Sequence, residues 1–276
     1  MAGAFLCAEI NGWLYWRQIE GYCMTALPTT DGIYLISLSD DHYITRSTTG
    51  HLSEVEKQRA ETIAHPLARR CFEMGRFYLR TLLGARLGLE PAAVPIRIGP
   101  TGKPELALAS DCRPCHFSLS HSGNCIAIAL SEQAVGVDLE TRCPPSWKSI
   151  ARRFFSDSEQ AWIAQAECPE IAFVRLWTMK EAAVKLSAGT LLRGLRDFEL
   201  LSPEASALMS PSDRPIRTSS YVLSEKQWLS TAAFSDGQKK ERIFPLFERA
   251  GKDAWSLIER VENQYLMRGI CASGQV

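Results

Sequence analysis

The order in which strand and helix signals follow one another constrains this chain most. The run over 33–38 has the continuous apolar character of a buried strand, and Ser53-Glu54-Val55-Glu56 has the capping-box form that opens a helix. A second helical stretch is predicted over 67–87, ahead of Gly88, followed by a loop over 99–104. Strand signals over 115–120 and 125–130 flank Ser122-Gly123-Asn124, a hairpin turn, and 134–140 reads as a further strand. After Pro144-Pro145 the pattern turns helical again: Ser156-Asp157-Ser158-Glu159 is a second capping box, and a long helix over 170–188 is closed by Gly189. Strand signals return over 198–200, 220–222 and 228–234. The order strand, helices, strands thus occurs twice, which predicts an α+β fold of two similar halves, 31–132 and 133–237, dividing near 131–134. Residues 1–30 show no clean period and stay unassigned, 202–217 reads as a polar loop, and 238–276 reads as a helical extension.

Composition narrows the function classes. A chain of 276 residues with 46% hydrophobic content is long enough to bury a sizeable core. Its 31 Lys+Arg balance 31 Asp+Glu, so no global field argues for nucleic acid or an anionic membrane as partner. Between Lys57 and Lys103, however, nine basic residues face three acidic ones. Such a patch suits a small polyanion, and it equally suits solvated helix faces. The nine cysteines are odd in number and scattered, the pattern of free thiols in a reducing compartment. No basic region precedes the short apolar run at the N-terminus, and nowhere do eighteen apolar residues follow one another, so the expected location is the cytoplasm.

Four segments could carry chemistry. Val135-Gly136-Val137-Asp138-Leu139-Glu140 places two carboxylates two residues apart, on one face of a strand. Two such charges repel unless a cation lies between them, and oxygen-only ligation suits Mg2+, which takes part of its shell from substrate phosphates. The alternative is a strand end with two solvated acids. In Trp177-Thr178-Met179-Lys180-Glu181-Ala182-Ala183-Val184-Lys185, residues 177, 181 and 185 share one side of a largely apolar helix. Glu181 and Lys185 therefore lie either in a cleft or at the edge of the buried stripe. Phe117-Ser118-Leu119-Ser120-His121-Ser122-Gly123 offers hydroxyls, an imidazole and a turn whose amides can face an anion. Gly102-Lys103-Pro104 is a rigid turn presenting one ammonium.

In order and spacing these four segments resemble the signature set of the 4'-phosphopantetheinyl transferases, in the larger, monomeric type built from two halves related by pseudo-twofold symmetry. The helix resembles the subgroup reading W-x-x-K-E-A. The resemblance runs from about Ser53 to Phe234 and implies transfer of the phosphopantetheine arm of coenzyme A to a serine of an apo acyl or peptidyl carrier protein, with the active cleft between the halves. It further implies Asp138, Glu140 and Glu181 as ligands of Mg2+, for which Mn2+ can stand in. Glu181 would take the serine proton, and Lys185 would stabilise the departing nucleotide. Ser120, His121 and Lys103 would contact coenzyme A phosphates, and Arg69, Arg70 and Arg76 would hold the 3'-phosphate and adenine end.

The chain departs from the family pattern in two places: serine stands at 118 where asparagine is common, and Cys71-Phe72 lacks a basic residue that many relatives show. A competing signal is Cys112-Arg113-Pro114-Cys115-His116, which has haem-attachment spacing and could also be half a zinc site or a redox dithiol. Two free thiols is the reading favoured by the absence of an export signal and of a second C-x-x-C. A binding module that holds coenzyme A or a carrier without turnover is the alternative from another class, and the intact acids and Lys185 argue against it.

Overall fold

The computed structural model describes residues 6–10, 13–17, 30–38, 48–108, 114–187, 195–196, 198, 216–224, 227–234, 246–249, 255–257 and 265–266. An N-terminal hairpin, β1 (Leu6–Ile10) and β2 (Trp13–Arg17), precedes β3 (Gly32–Ser37). Helices α1 (Glu54–Glu61) and α2 (Pro66–Leu87) follow, then the short hairpin β4 (Ile96–Ile98) and β5 (Pro104–Leu106), then β6 (His116–Ser122) and β7 (Cys125–Ser131). The second run is β8 (Val135–Glu140), α3 (Trp147–Phe154), α4 (Asp157–Gln165), α5 (Pro169–Leu186), β9 (Ile216–Ser224) and β10 (Gln227–Phe234). Both capping boxes form: Ser53 and Ser156 each accept from the amide three residues on, while Glu56 and Glu159 accept from the serine amides.

The two halves share a topology as well as an element order. In the first, β3 pairs with β7 and β7 with β6; in the second, β8 pairs with β10 and β10 with β9, every pair antiparallel. Each half thus arranges its first, third and second strands in the same order. The mixed architecture of two α+β units predicted above is what the chain adopts.

Three apolar clusters hold the arrangement. Met74, Tyr78, Leu79 and Leu82 of α2 pack on Tyr34 and Ile36 of β3 and on Ile126, Ile128 and Leu130 of β7. Phe173, Leu176, Ala183 and their neighbours on α5 pack on Trp228 and Ala232 of β10. The third cluster joins the halves: Ile33, Ala127 and Ala129 meet Val135, Val137, Leu139, Tyr221 and Leu229. Each fully buried aliphatic side chain contributes about 1.5–3 kcal/mol, so these faces fix which side of every strand turns inward. Along β8 the alternation leaves Gly136, Asp138 and Glu140 on the face opposite the third cluster.

Several expectations need correction. The stretch read as a helical extension contains strands: β11 (Leu246–Arg249) pairs in parallel with β3, β12 (Trp255–Leu257) pairs with β11, and β13 (Tyr265–Leu266) pairs with β9. Open sheet edges override the helix-forming composition there. The loop read over 99–104 is the turn of the β4–β5 hairpin, with strands three residues long that give no periodic signal. Phe198 belongs to no strand, and residues 199–200, most of the loop read over 202–217, and Cys112 lie outside the described residues. The long helix ends at Leu186, and Gly189 also lies outside them.

Candidate active site

Strand β8 and helix α5 approach so closely at one point that only glycine fits. A Cβ on Gly136 would collide with the carbonyl oxygen of Ala182 and lie 2.8 Å from the Leu186 amide nitrogen. This contact sets the last two turns of α5 directly over the strand two residues before Asp138. The ammonium of Lys185 consequently donates to Asp138 Oδ1 at 2.6 Å and to Ser120 Oγ at 2.9 Å, while Ser120 Oγ donates to the same Oδ1 at 2.7 Å. Asp138 is 3% exposed, and its other oxygen, Oδ2, is buried without a hydrogen-bond partner.

Glu181, one turn before Lys185, is 8% exposed. Its carboxyl is pushed up to about 8, chiefly by burial and then by the charges of Asp138 and Glu140, with Lys185 opposing. Burial likewise raises Glu140, which a hydrogen bond from Ser122 partly offsets. The three acids therefore share one electrostatic neighbourhood although 43 positions separate Asp138 from Glu181 in the sequence. Hard oxygen donors, mutual repulsion and an orphaned Oδ2 are chemistry that a divalent cation such as Mg2+ would suit. As the side chains lie, no three His, Cys, Asp or Glu among the described residues stand close enough to enclose an ion. Lys185 supplies the positive charge at Asp138.

Glu181 and Lys185 open onto a cleft of about 510 Å³ whose walls come from α2, the β4–β5 turn, β6 and α5, with Asp138, Glu140 and Ser120 behind its lining. Arg76, Lys103, His121, Glu181 and Lys185 line it, together with Cys71 and Phe72. Lys103 Nζ donates to the Lys185 carbonyl oxygen at 2.6 Å, which ties the β4–β5 turn to the end of α5. Burial lowers Lys103, with Lys185 adding to the effect and Glu105 opposing it. His121 is lowered by burial and then by Lys185, so its imidazole tends to be neutral near pH 7. Arg76 Nε lies 3.6 Å from Glu56 Oε1, its guanidinium is 5.4 Å from the Phe72 ring centroid, and Nη1 is buried without a partner.

Not every candidate residue reaches the cleft. Arg69 donates to the carbonyls of Glu61 and Ile63, and Arg70 to that of Leu38, and neither lines the cleft wall. Trp177 packs among Phe154, Phe155 and Phe173, within the helical layer of the second half. Lys180, beside Glu181, is fully buried and donates to both oxygens of Glu159 at 2.9 and 2.7 Å. It locks α4 onto α5, a role that its lysine code alone did not reveal. Cys115 is a buried free thiol and His116 is exposed at the start of β6. No helix among the described residues is long and apolar enough to cross a membrane.

The sequence profile of the 4'-phosphopantetheinyl transferase superfamily matches residues 134–239, which include Gly136, Asp138, Glu140, Glu181 and Lys185. The chain is 33% identical over 189 residues to 4'-phosphopantetheinyl transferase HetI of Nostoc sp., covering 67% of this chain and 79% of that protein. It is 33% identical over 130 residues to a 4'-phosphopantetheinyl transferase of Bacillus subtilis, and 41% identical over 116 residues to 4'-phosphopantetheinyl transferase AcpT of Salmonella typhimurium. Those two matches cover 46% and 40% of this chain and just over half of each relative, 56% and 57%.

Proposed function

Because the chain belongs to the 4'-phosphopantetheinyl transferase superfamily, we propose that it transfers the 4'-phosphopantetheine group from coenzyme A to a serine of an apo acyl or peptidyl carrier protein. The serine oxygen forms a bond to the β-phosphorus, the pyrophosphate bond breaks, and adenosine 3',5'-bisphosphate leaves. The observation that carries this reading is Lys185, which lines a basic cleft together with Glu181 and is paired behind the cleft wall with the buried Asp138 and Ser120.

In this reading Arg76, Lys103 and His121 bind the phosphates, because they are the basic and imidazole groups on the wall that α2, the hairpin turn and β6 provide. The role expected of Arg69 and Arg70 passes to Arg76, since both are tied to backbone carbonyls outside the cleft. Asp138, Glu140 and Glu181 would hold Mg2+, which supplies charge neutralisation on the breaking diphosphate. Glu181 accepts the serine proton, and a carboxylate with its raised affinity for protons is a stronger base than an ordinary one. Lys185, 27% exposed at its side chain, can leave Asp138 to meet the phosphate of the departing nucleotide. The first half then supplies most of the nucleotide side of the cleft and the second half the acids. We further propose a cytoplasmic location, in keeping with nine scattered cysteines, and a monomer, as the resemblance to the two-half type of the family implies.

Mass spectrometry of apo-carrier proteins incubated with the protein, coenzyme A and Mg2+ tests the proposal. A gain of about 340 Da on the carrier serine is the expected result for phosphopantetheine transfer. Binding of coenzyme A with no gain on acyl, polyketide or peptidyl carriers would replace transfer by a holding role.

A further inference from the structure

Strands β6 and β8 run side by side where the two halves meet, yet they belong to different sheets. What joins them is a row of serine side chains on alternate residues of β6. Ser118 Oγ accepts from the Val137 amide at 3.1 Å, Ser120 donates to Asp138, and Ser122 Oγ donates to Glu140 Oε2 at 2.7 Å. Ser122 Oγ also accepts from the Thr141 amide at 3.1 Å and lies 3.1 Å from Thr141 Oγ1. Its hydroxyl is therefore fixed from both sides. The next residue, Gly123, has φ 56°, and a Cβ there would lie 2.9 Å from Thr141 Oγ1, so the β6–β7 turn rests directly on the end of β8.

We propose that Ser122 is a positioning residue for the divalent cation: it holds one oxygen of Glu140 from the opposite half and leaves the other, on the same face of β8 as Asp138, for the ion. A glutamate has three freely turning bonds, and a single hydroxyl that is itself held in place removes much of that freedom before the ion arrives. The residue is distinct in role from Ser120, whose partners are Asp138 and Lys185, and from Ser118, which touches only backbone across the seam. The inference rests on the reading of Asp138, Glu140 and Glu181 as cation ligands. It makes the cation site a property of the assembled halves, although all three acids come from the second.

Titration of the intact protein with Mn2+, read by electron paramagnetic resonance of the free ion, tests this without reference to turnover. Ser122→Ala and the near-isosteric Ser122→Cys should each raise the Mn2+ dissociation constant roughly tenfold, and Ser122→Thr should restore it. Ser118→Ala, which loosens the seam without touching a carboxylate, should lower the melting temperature and leave Mn2+ affinity within about twofold of the parent. Unchanged Mn2+ affinity in folded Ser122→Ala or Ser122→Cys overturns the proposal, as does equal weakening by Ser118→Ala. A parent protein that binds no Mn2+ would instead remove the cation reading beneath it.

Discussion

Lys185 and Asp138 form a 2.6 Å ion pair across the junction of α5 and β8, with the aspartate almost fully buried and the lysine partly open to the cleft. The pair balances charge at the centre of the site while leaving the ammonium able to move. Asp138→Asn keeps the shape and the Ser120 contact but removes the charge. We expect kcat/KM for carrier loading to fall at least roughly a hundredfold, with circular dichroism unchanged. A variant that loads carrier at the parent rate would remove Asp138 from the mechanism.

Gly136→Ala tests the strand–helix contact from which the site geometry follows. The added methyl has nowhere to go but into the Ala182 carbonyl, and backbone cannot turn aside as a side chain can. The expected loss is about 3 kcal/mol or more in denaturant unfolding, accompanied by loss of carrier loading because α5 must lift away from Asp138.

The Lys180–Glu159 pair is enclosed on both sides, with side-chain exposures of 1% and 0%. Lys180→Met leaves Glu159 buried and uncompensated, for an expected cost of about 3–5 kcal/mol in guanidinium unfolding. A Lys180→Met, Glu159→Leu double variant should recover part of that loss, the remainder reflecting the capping hydrogen bond that Glu159 also accepts at Ser156.

Protonation of Glu181 gives the metal-free protein a pH signature. Its carboxyl lies at about 8 in the folded chain against an ordinary 4.5, so between these values the folded state binds more protons than the unfolded one. Stability must then fall as pH rises through that window, the contribution being full below about 4.5 and lost above about 8. Glu181→Gln should flatten the decline in melting temperature between about pH 5 and pH 8, measured with chelator present. An equally steep decline in the variant would assign the slope to another group.

Much of the site was legible because its signals are local. Both capping boxes, the period-two placement of Asp138 and Glu140, and the four-residue step from Glu181 to Lys185 are properties of short segments, and each appears in the structure as read. The residues that escaped depend on distant partners. Nothing near Arg69 or Arg70 announces that carbonyls of Glu61, Ile63 and Leu38 will take their guanidinium groups. The Ser122–Glu140 contact likewise spans two strands that share no sheet. The strands after residue 238 went unread for the same reason: a four-residue strand rich in charge is defined by the edge it joins, and β11 finds that edge on β3.

That parallel pairing of β11 with β3 has a temporal side. The sheet begun by residues 32–37 receives this neighbour only after the 208 residues between Ser37 and Leu246 have been translated. Until then the backbone amides and carbonyls along that flank of β3 stand open, a template for pairing with another nascent chain. Premature termination upstream of Leu246 would leave that flank uncovered permanently, so such products are expected to precipitate in expression trials even though every acid and base of the cleft has been made.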